Sequence, residues 1–98
     1  MSRNYRKLRT KFEFIESSGA SIILIVLLDH GELSYSDIKE KTGLPTHTAY
    51  RTLNSLLKNN LIEEKREEEF PRRRLFKLTD RGRKIAEKLV EIEDILNN

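Results

Sequence analysis

Cysteine and glutamine are absent from this 98-residue chain, glycine occurs four times, and proline and histidine twice each. Without cysteine there can be no disulfide, no thiolate zinc site, no cysteine nucleophile and no thiol-based redox sensing, and a reducing intracellular setting is expected. The histidines, His30 and His47, lie 17 positions apart without metal-ligand spacing, so no metal site is expected. No glycine-rich phosphate loop and no grouping of nucleophile, base and orienting residue is recognisable, which argues against an enzyme and implies no cofactor. Long hydrophobic runs are missing too. The longest, residues 22–28, has seven residues against the roughly 20 needed to cross a bilayer. The basic start lacks a small-residue cleavage site, so neither a membrane span nor a secretory leader is expected, and the cytoplasm is the expected location.

What is abundant is charge. Charged residues make up 36% of the chain and hydrophobic ones 37%, and the apolar residues keep clear periodicity, so one folded domain is expected. Rich in Lys, Glu, Arg and Ile, the composition has the bias of proteins from hot environments. Its 19 basic and 16 acidic side chains leave only +3, so any nucleic-acid surface has to be a local patch. Residues 3–11 hold five basic side chains and no acid. They suit either an arm along a phosphate backbone or a solvated first helical turn. Tyr5, Leu8, Phe12 and Ile15 recur at helical spacing, so part of this segment can be a helix docking on the body.

Residues 44–62 carry the most informative pattern. Ala49, Leu53 and Leu56 form the buried stripe of a helix, and the opposite face carries His47, Thr48, Tyr50, Arg51 and Asn54. Those side chains can hydrogen-bond base edges or phosphates and are not needed for a core. Ahead of it, Ser17 or Ser18 is expected to cap a helix running to Asp29, apolar all round, and His30-Gly31 to stop it. Glu32-Leu33 reads as an extended link. Ser34 with Asp37 opens a second helix over residues 35–41 with Ile38 buried, and Gly43 ends it in the left-handed region. Leu44 plugs the angle between two helices, and Thr46 is the expected cap of the next.

Downstream, residues 61–66 and 74–78 read as two strands with Phe76 and Leu78 on one face and a turn near Phe70-Pro71. Arg72, Arg73 and Arg74 follow that turn. They suit a basic tip reaching a minor groove, or a charge ladder with Glu67, Glu68 and Glu69. From Thr79 the chain reads as helix to its end. Ile85, Leu89, Ile92 and Leu96 make an apolar stripe, widened by Ala86 and Val90, that would overhang the body. A second copy of the chain is the expected cover; folding back onto Phe12, Phe14 and Ile15 is the alternative.

Over residues 18–90 the chain resembles the winged helix-turn-helix of MarR-like and PadR-like transcriptional regulators, including short archaeal and archaeal-virus relatives. Three pieces carry the resemblance: the turn and helix within residues 43–62, the run LLKNNLIEE, and RRRLFKLTDRGRK. In LLKNNLIEE the family usually has glycine where this chain has Asn60, the next best residue for a left-handed cap.

The resemblance implies a mainly α fold with a small antiparallel β-hairpin: a basic arm at 1–16, a winged helix at 17–79, and a dimerisation helix at 80–98. It also implies a homodimer on double-stranded DNA at a near-palindromic site. His47, Thr48, Tyr50, Arg51 and Asn54, with Thr46 at the helix start, would face the major groove. Ser36, Lys39, Arg72, Arg73 and Arg74 would take phosphates and the minor groove. A winged-helix protein-interaction module and a non-specific, chromatin-like DNA coat are the other readings.

Overall fold

Seven apolar residues in succession are stable in water only if other elements cover them, and residues 22–28 lie inside a helix surrounded by the rest of the chain. The computed structural model describes residues 2–98. The helix at its centre, α2 (Ala20–His30), buries Ala20, Ile23, Leu24 and Leu27. Around it, in chain order, stand α1 (Tyr5–Phe12), β1 (Glu32–Ser34), α3 (Tyr35–Thr42), α4 (Thr46–Lys58), β2 (Ile62–Arg66), β3 (Arg74–Leu78) and α5 (Asp80–Leu96). α2 packs against α3, α4, α5 and β3. The fold is the expected winged helix-turn-helix, mainly α, with α3 and α4 as the helix pair and β2–β3 as the wing.

The sheet has three strands rather than the expected two. The residues read as a link, Glu32-Leu33, begin β1, and the sheet order is β1-β3-β2, antiparallel throughout. Leu33 sits opposite Phe76 across β1 and β3, and both are buried. A three-residue strand is too short to show alternation, and its partner lies about 40 positions away, so only tertiary pairing reveals it. On the other edge Ile62 faces Leu78 and Arg66 faces Arg74.

Two helix starts differ from expectation. Gly19, not Ser17 or Ser18, occupies the N-cap position of α2, and no side chain caps that helix. At α4 the N-cap position is Pro45 and Thr46 is the first helical residue. Proline lacks a backbone N–H and holds φ near −60°, which suits the start of a helix without a side-chain cap. Elsewhere the reading holds. The Ser34 hydroxyl accepts from the Asp37 N–H at 3.1 Å, Gly43 takes φ 71° at the end of α3, and Asn60 takes φ 60° after α4.

The apolar stripe of α5 is divided. Ala86 and Leu89 are buried and Ile85 packs against the same core, so Ile85 and Leu89 serve the chain's own interior rather than a surface held open for a partner. Ile92, Ile95 and Leu96, in the last turns, remain 51%, 70% and 78% exposed. At the other end, α1 is a helix with Asn4 as its N-cap and no buried residue. Phe14 and Ile15, just beyond it, make the contact with the core.

Gly82 shows how tightly α5 is seated. The Thr79 hydroxyl caps the helix by accepting from the Gly82 N–H at 3.0 Å and donates to the Asn60 carbonyl at 2.7 Å. A β-carbon on Gly82 would lie 1.8 Å from the Leu61 carbonyl oxygen. In a free helix Gly→Ala gains about 1 kcal/mol, but here the backbone overlap outweighs it. Gly82→Ala is expected to lower unfolding stability by about 4 kcal/mol or more, read by urea denaturation. A variant as stable as the parent would show that α5 does not pack this closely.

Candidate nucleic-acid interface

The helix pair owes its angle to Gly43 and Leu44. Gly43 reverses the chain, the Leu44 N–H donates to the Thr42 hydroxyl at 3.3 Å, and the Leu44 side chain packs on the core. α4 then follows with Thr48, Ala49, Thr52, Leu53 and Leu56 buried. His47, Tyr50, Arg51 and Asn54 are exposed, as expected of a free polar face. Thr48 is the correction: at 8% exposure it belongs to the buried side. It lies one turn before Thr52, whose hydroxyl donates to the Ser18 carbonyl at 2.7 Å. A threonine is small enough to sit at the edge of a buried helix face, and residue type alone misassigns it.

Ser36, exposed, and Lys39, half-buried, lie on α3 along the rim of a shallow depression that reaches Gly43 and Leu44. Thr46 is exposed at the start of α4, and its carbonyl accepts from the Tyr35 hydroxyl at 3.1 Å. The Tyr35 and Tyr50 rings meet at 5.2 Å between centroids, tilted by 55°. A cleft of about 190 Å³ joins Tyr35, Ser36 and Tyr50 to Arg73 and Arg74 of the wing. The start of α3, the face of α4 and the wing therefore converge on one side of the molecule.

Of the two readings of the wing arginines, the ladder describes Arg73, which pairs with Glu67, whereas Arg74 pairs with Glu64 outside the expected acidic triplet. Arg73 grips Glu67 from Nε at 2.9 Å and from Nη2 at 3.2 Å. Arg74 donates from Nε to the Glu64 carboxylate and from Nη1 to the Tyr50 hydroxyl at 2.9 Å. Arg72, with φ 57°, enters no ion pair among the described residues. The tip is stitched by the Arg72 N–H to the Glu69 carbonyl at 2.8 Å and by Arg66 Nη1 to the Arg72 carbonyl at 3.2 Å. Glu68 and Glu69 stay exposed beside it.

These pairs set the local electrostatics. The hydrogen bond from Arg74 holds the Glu64 carboxyl below its ordinary value, and the one from Arg73 does the same for Glu67. Both guanidinium groups are held more firmly protonated by the same bonds. Water screens an exposed pair such as Arg73–Glu67 and leaves it little net stabilisation, so Arg73 can exchange its carboxylate for a phosphate at little cost.

Two features lay outside the sequence reading. Glu64 was not singled out, although it faces Phe76 across the wing and is thus two positions diagonal to Arg74 on one face; that register was its only signal. The second is an open groove of about 750 Å³ beside α4, bounded by Phe14 and Ser17 on one wall and by Arg51, Asn54 and Lys58 on the other. No cluster of His, Asp or Glu able to hold a metal ion, and no helix long and apolar enough to cross a membrane, occurs among the described residues.

A model of the family described as sugar-specific transcriptional regulator TrmB matches residues 20–82. The structure is similar to a MarR-family transcriptional regulator from Porphyromonas gingivalis, with TM-score 0.79 and 20% identity, covering 96% of this chain and 92% of that one. It is similar to the reduced form of the transcriptional regulator YodB from B. subtilis, with TM-score 0.77 and 21% identity over 96% and 90% of the two chains. A mutant of MarR from E. coli, complexed with operator DNA, matches with TM-score 0.67 and 19% identity over 76% of this chain and 53% of that one. At these identities the likeness shows the fold. Comparison with curated proteins finds no significant match.

The lowered Glu64 value has a measurable consequence. The folded chain holds this carboxylate ionised to lower pH than the unfolded chain does. The stability it adds is complete above the ordinary carboxylate value and is lost as pH falls through the depressed one. Glu64→Gln should therefore flatten the acid limb of melting temperature against pH, by less than about 1 kcal/mol for so exposed a pair. Superimposable pH profiles for variant and parent would show that the pair adds nothing.

Proposed function

The chain belongs to the TrmB family of transcriptional regulators, with a MarR-like winged helix-turn-helix fold, and from that premise we propose a dimeric protein that reads double-stranded DNA in a sequence-specific way. The family is one of regulators, not enzymes. The observation that carries the reading is the cleft that brings Tyr50 of α4 together with Ser36 of α3 and Arg73 and Arg74 of the wing, with His47, Arg51 and Asn54 exposed on the same helix α4. In this proposal α4 enters the major groove, where Arg51 meets guanine and Asn54 adenine. Thr46, Ser36 and Lys39 take phosphates and fix the register. Arg72 and Arg73 reach the flanking minor groove, Arg73 after releasing Glu67.

Residues 17–79 act as the reading body, residues 1–16 as a basic arm beside it, and residues 80–98 as the dimer contact. Supporting the last role are Ile92, Ile95 and Leu96, exposed together with Tyr5, Phe12 and Ile22. Apart from Tyr50 and the wing's Phe70, these are the large apolar side chains left in water among the described residues. Two copies related by a two-fold axis would read a near-palindrome. A DNA partner makes the cytoplasm the proposed setting.

Selection of duplexes from a random pool tests the reading as a whole. Enrichment of a palindrome is the expected result. Tight low-salt binding without enrichment would instead mean a non-specific coat, and no binding would favour the protein-interaction module. Arg51→Ala is expected to lose about 1–3 kcal/mol of affinity and to relax preference at one base pair, measured by competition between variant operators. Unchanged preference would remove Arg51 from base reading. For the dimer, Ile95→Glu combined with Leu96→Glu should sediment as a single chain while the melting temperature stays near the parent's, since both positions are exposed. A two-chain species in that variant would move the interface elsewhere.

A further inference from the structure

Arg74 stands among the wing arginines in the sequence, yet it is engaged quite differently. Its side chain is 22% exposed, against 50% for Arg73. Its guanidinium lies 5.3 Å from the centre of the Tyr50 ring and 5.2 Å from that of Phe76, while Nε bonds Glu64 and Nη1 bonds the Tyr50 hydroxyl. One side chain thus touches the outer wing strand β2, the core under β3, and α4. Tyr50 passes the contact on to Tyr35, whose hydroxyl bonds the first carbonyl of α4. To reach a phosphate, Arg74 would have to give up a carboxylate, a phenol and two aromatic faces together. Arg73 has only an exposed carboxylate to release.

We propose that Arg74 is a positioning residue: through the Tyr50 hydroxyl it sets the wing against α4, and so fixes how far along the duplex the minor-groove contact lies from the major-groove contact. Tyr50 is then the acceptor for Arg74 and not a reader of bases. The assignment rests on the DNA-binding reading above. It predicts that the spacing between the two contacts is a property of a side-chain link absent from the hairpin backbone. The lowered Glu64 and raised Arg74 values accord with a pair that persists in the folded protein.

The test uses the full chain and a duplex selected by the parent, with Tyr50→Phe, Arg74→Met and the double variant. Tyr50→Phe keeps the ring and loses only the acceptor, so it keeps the assignment testable if Arg74→Met folds poorly. Each single variant is expected to bind about tenfold more weakly, the worth of one charge-assisted hydrogen bond. The double variant should be no weaker than the weaker single. The slope of affinity against salt should stay at the parental value, and hydroxyl-radical protection by the wing should spread along the minor groove. Arg72→Ala, which by contrast removes a cation that the proposed function places against the duplex, should lower that slope by about one. A reduced salt slope for Arg74→Met, or a Tyr50→Phe variant with parental affinity and footprint, would overturn the assignment. A parent that binds no duplex would overturn the DNA-binding reading and this assignment with it.

Discussion

Keeping α2 out of water is the constraint from which the rest of the structure follows. Each fully buried Leu or Ile side chain is worth about 1.5–3 kcal/mol, and α2 supplies Ile23, Leu24 and Leu27 to the centre of a small domain. α5 covers it with Ala86 and Leu89, α4 with Leu53 and Leu56, and β3 with Phe76. Because α4 is held by that face, its other face has to point outward. The free row of His47, Arg51 and Asn54 is thus a consequence of core packing as much as of its own residues.

Charge acts on a finer scale than the net +3 suggests. Acidic and basic side chains alternate along the sheet, with Lys65 on Glu32 at 3.4 Å and Lys77 on Glu63 at 3.3 Å. Such exposed pairs add little stability, but they neutralise the hairpin's flanks, whereas Arg72 and Arg51 enter no ion pair among the described residues. In the proposed function affinity comes from a few local cations and selectivity from the face of α4. The tie through Arg74 and Tyr50 keeps those two sources in one frame.

The division of α5 shows how one element can serve two ends. Its first half is sealed into the core by Gly82, which lets the backbone approach Leu61, and by Thr79, which caps the helix while bonding Asn60. Its last turns leave the body with apolar residues still exposed. A helix so anchored at one end presents those residues at a defined angle, which a contact between two copies requires.

Much of this was legible in the sequence. The periods of residues 46–58 and 80–96, the glycine after α3, Asn60 after α4 and the alternation of Phe76 with Leu78 are local signals, and each led to the right element. Local rules misassigned what depends on a distant partner: β1, which exists only because β3 lies beside it, and the burial of Thr48 and Leu89. They also missed the engagement of Arg74, whose bonds join residues 10 and 24 positions away. The sequence by itself determined the helices, the turn between them, the wing and the residue types on offer. Only the tertiary structure decided which polar residues stay free, because the bonds that occupy Arg74 and bury Thr52 form between segments remote in the chain.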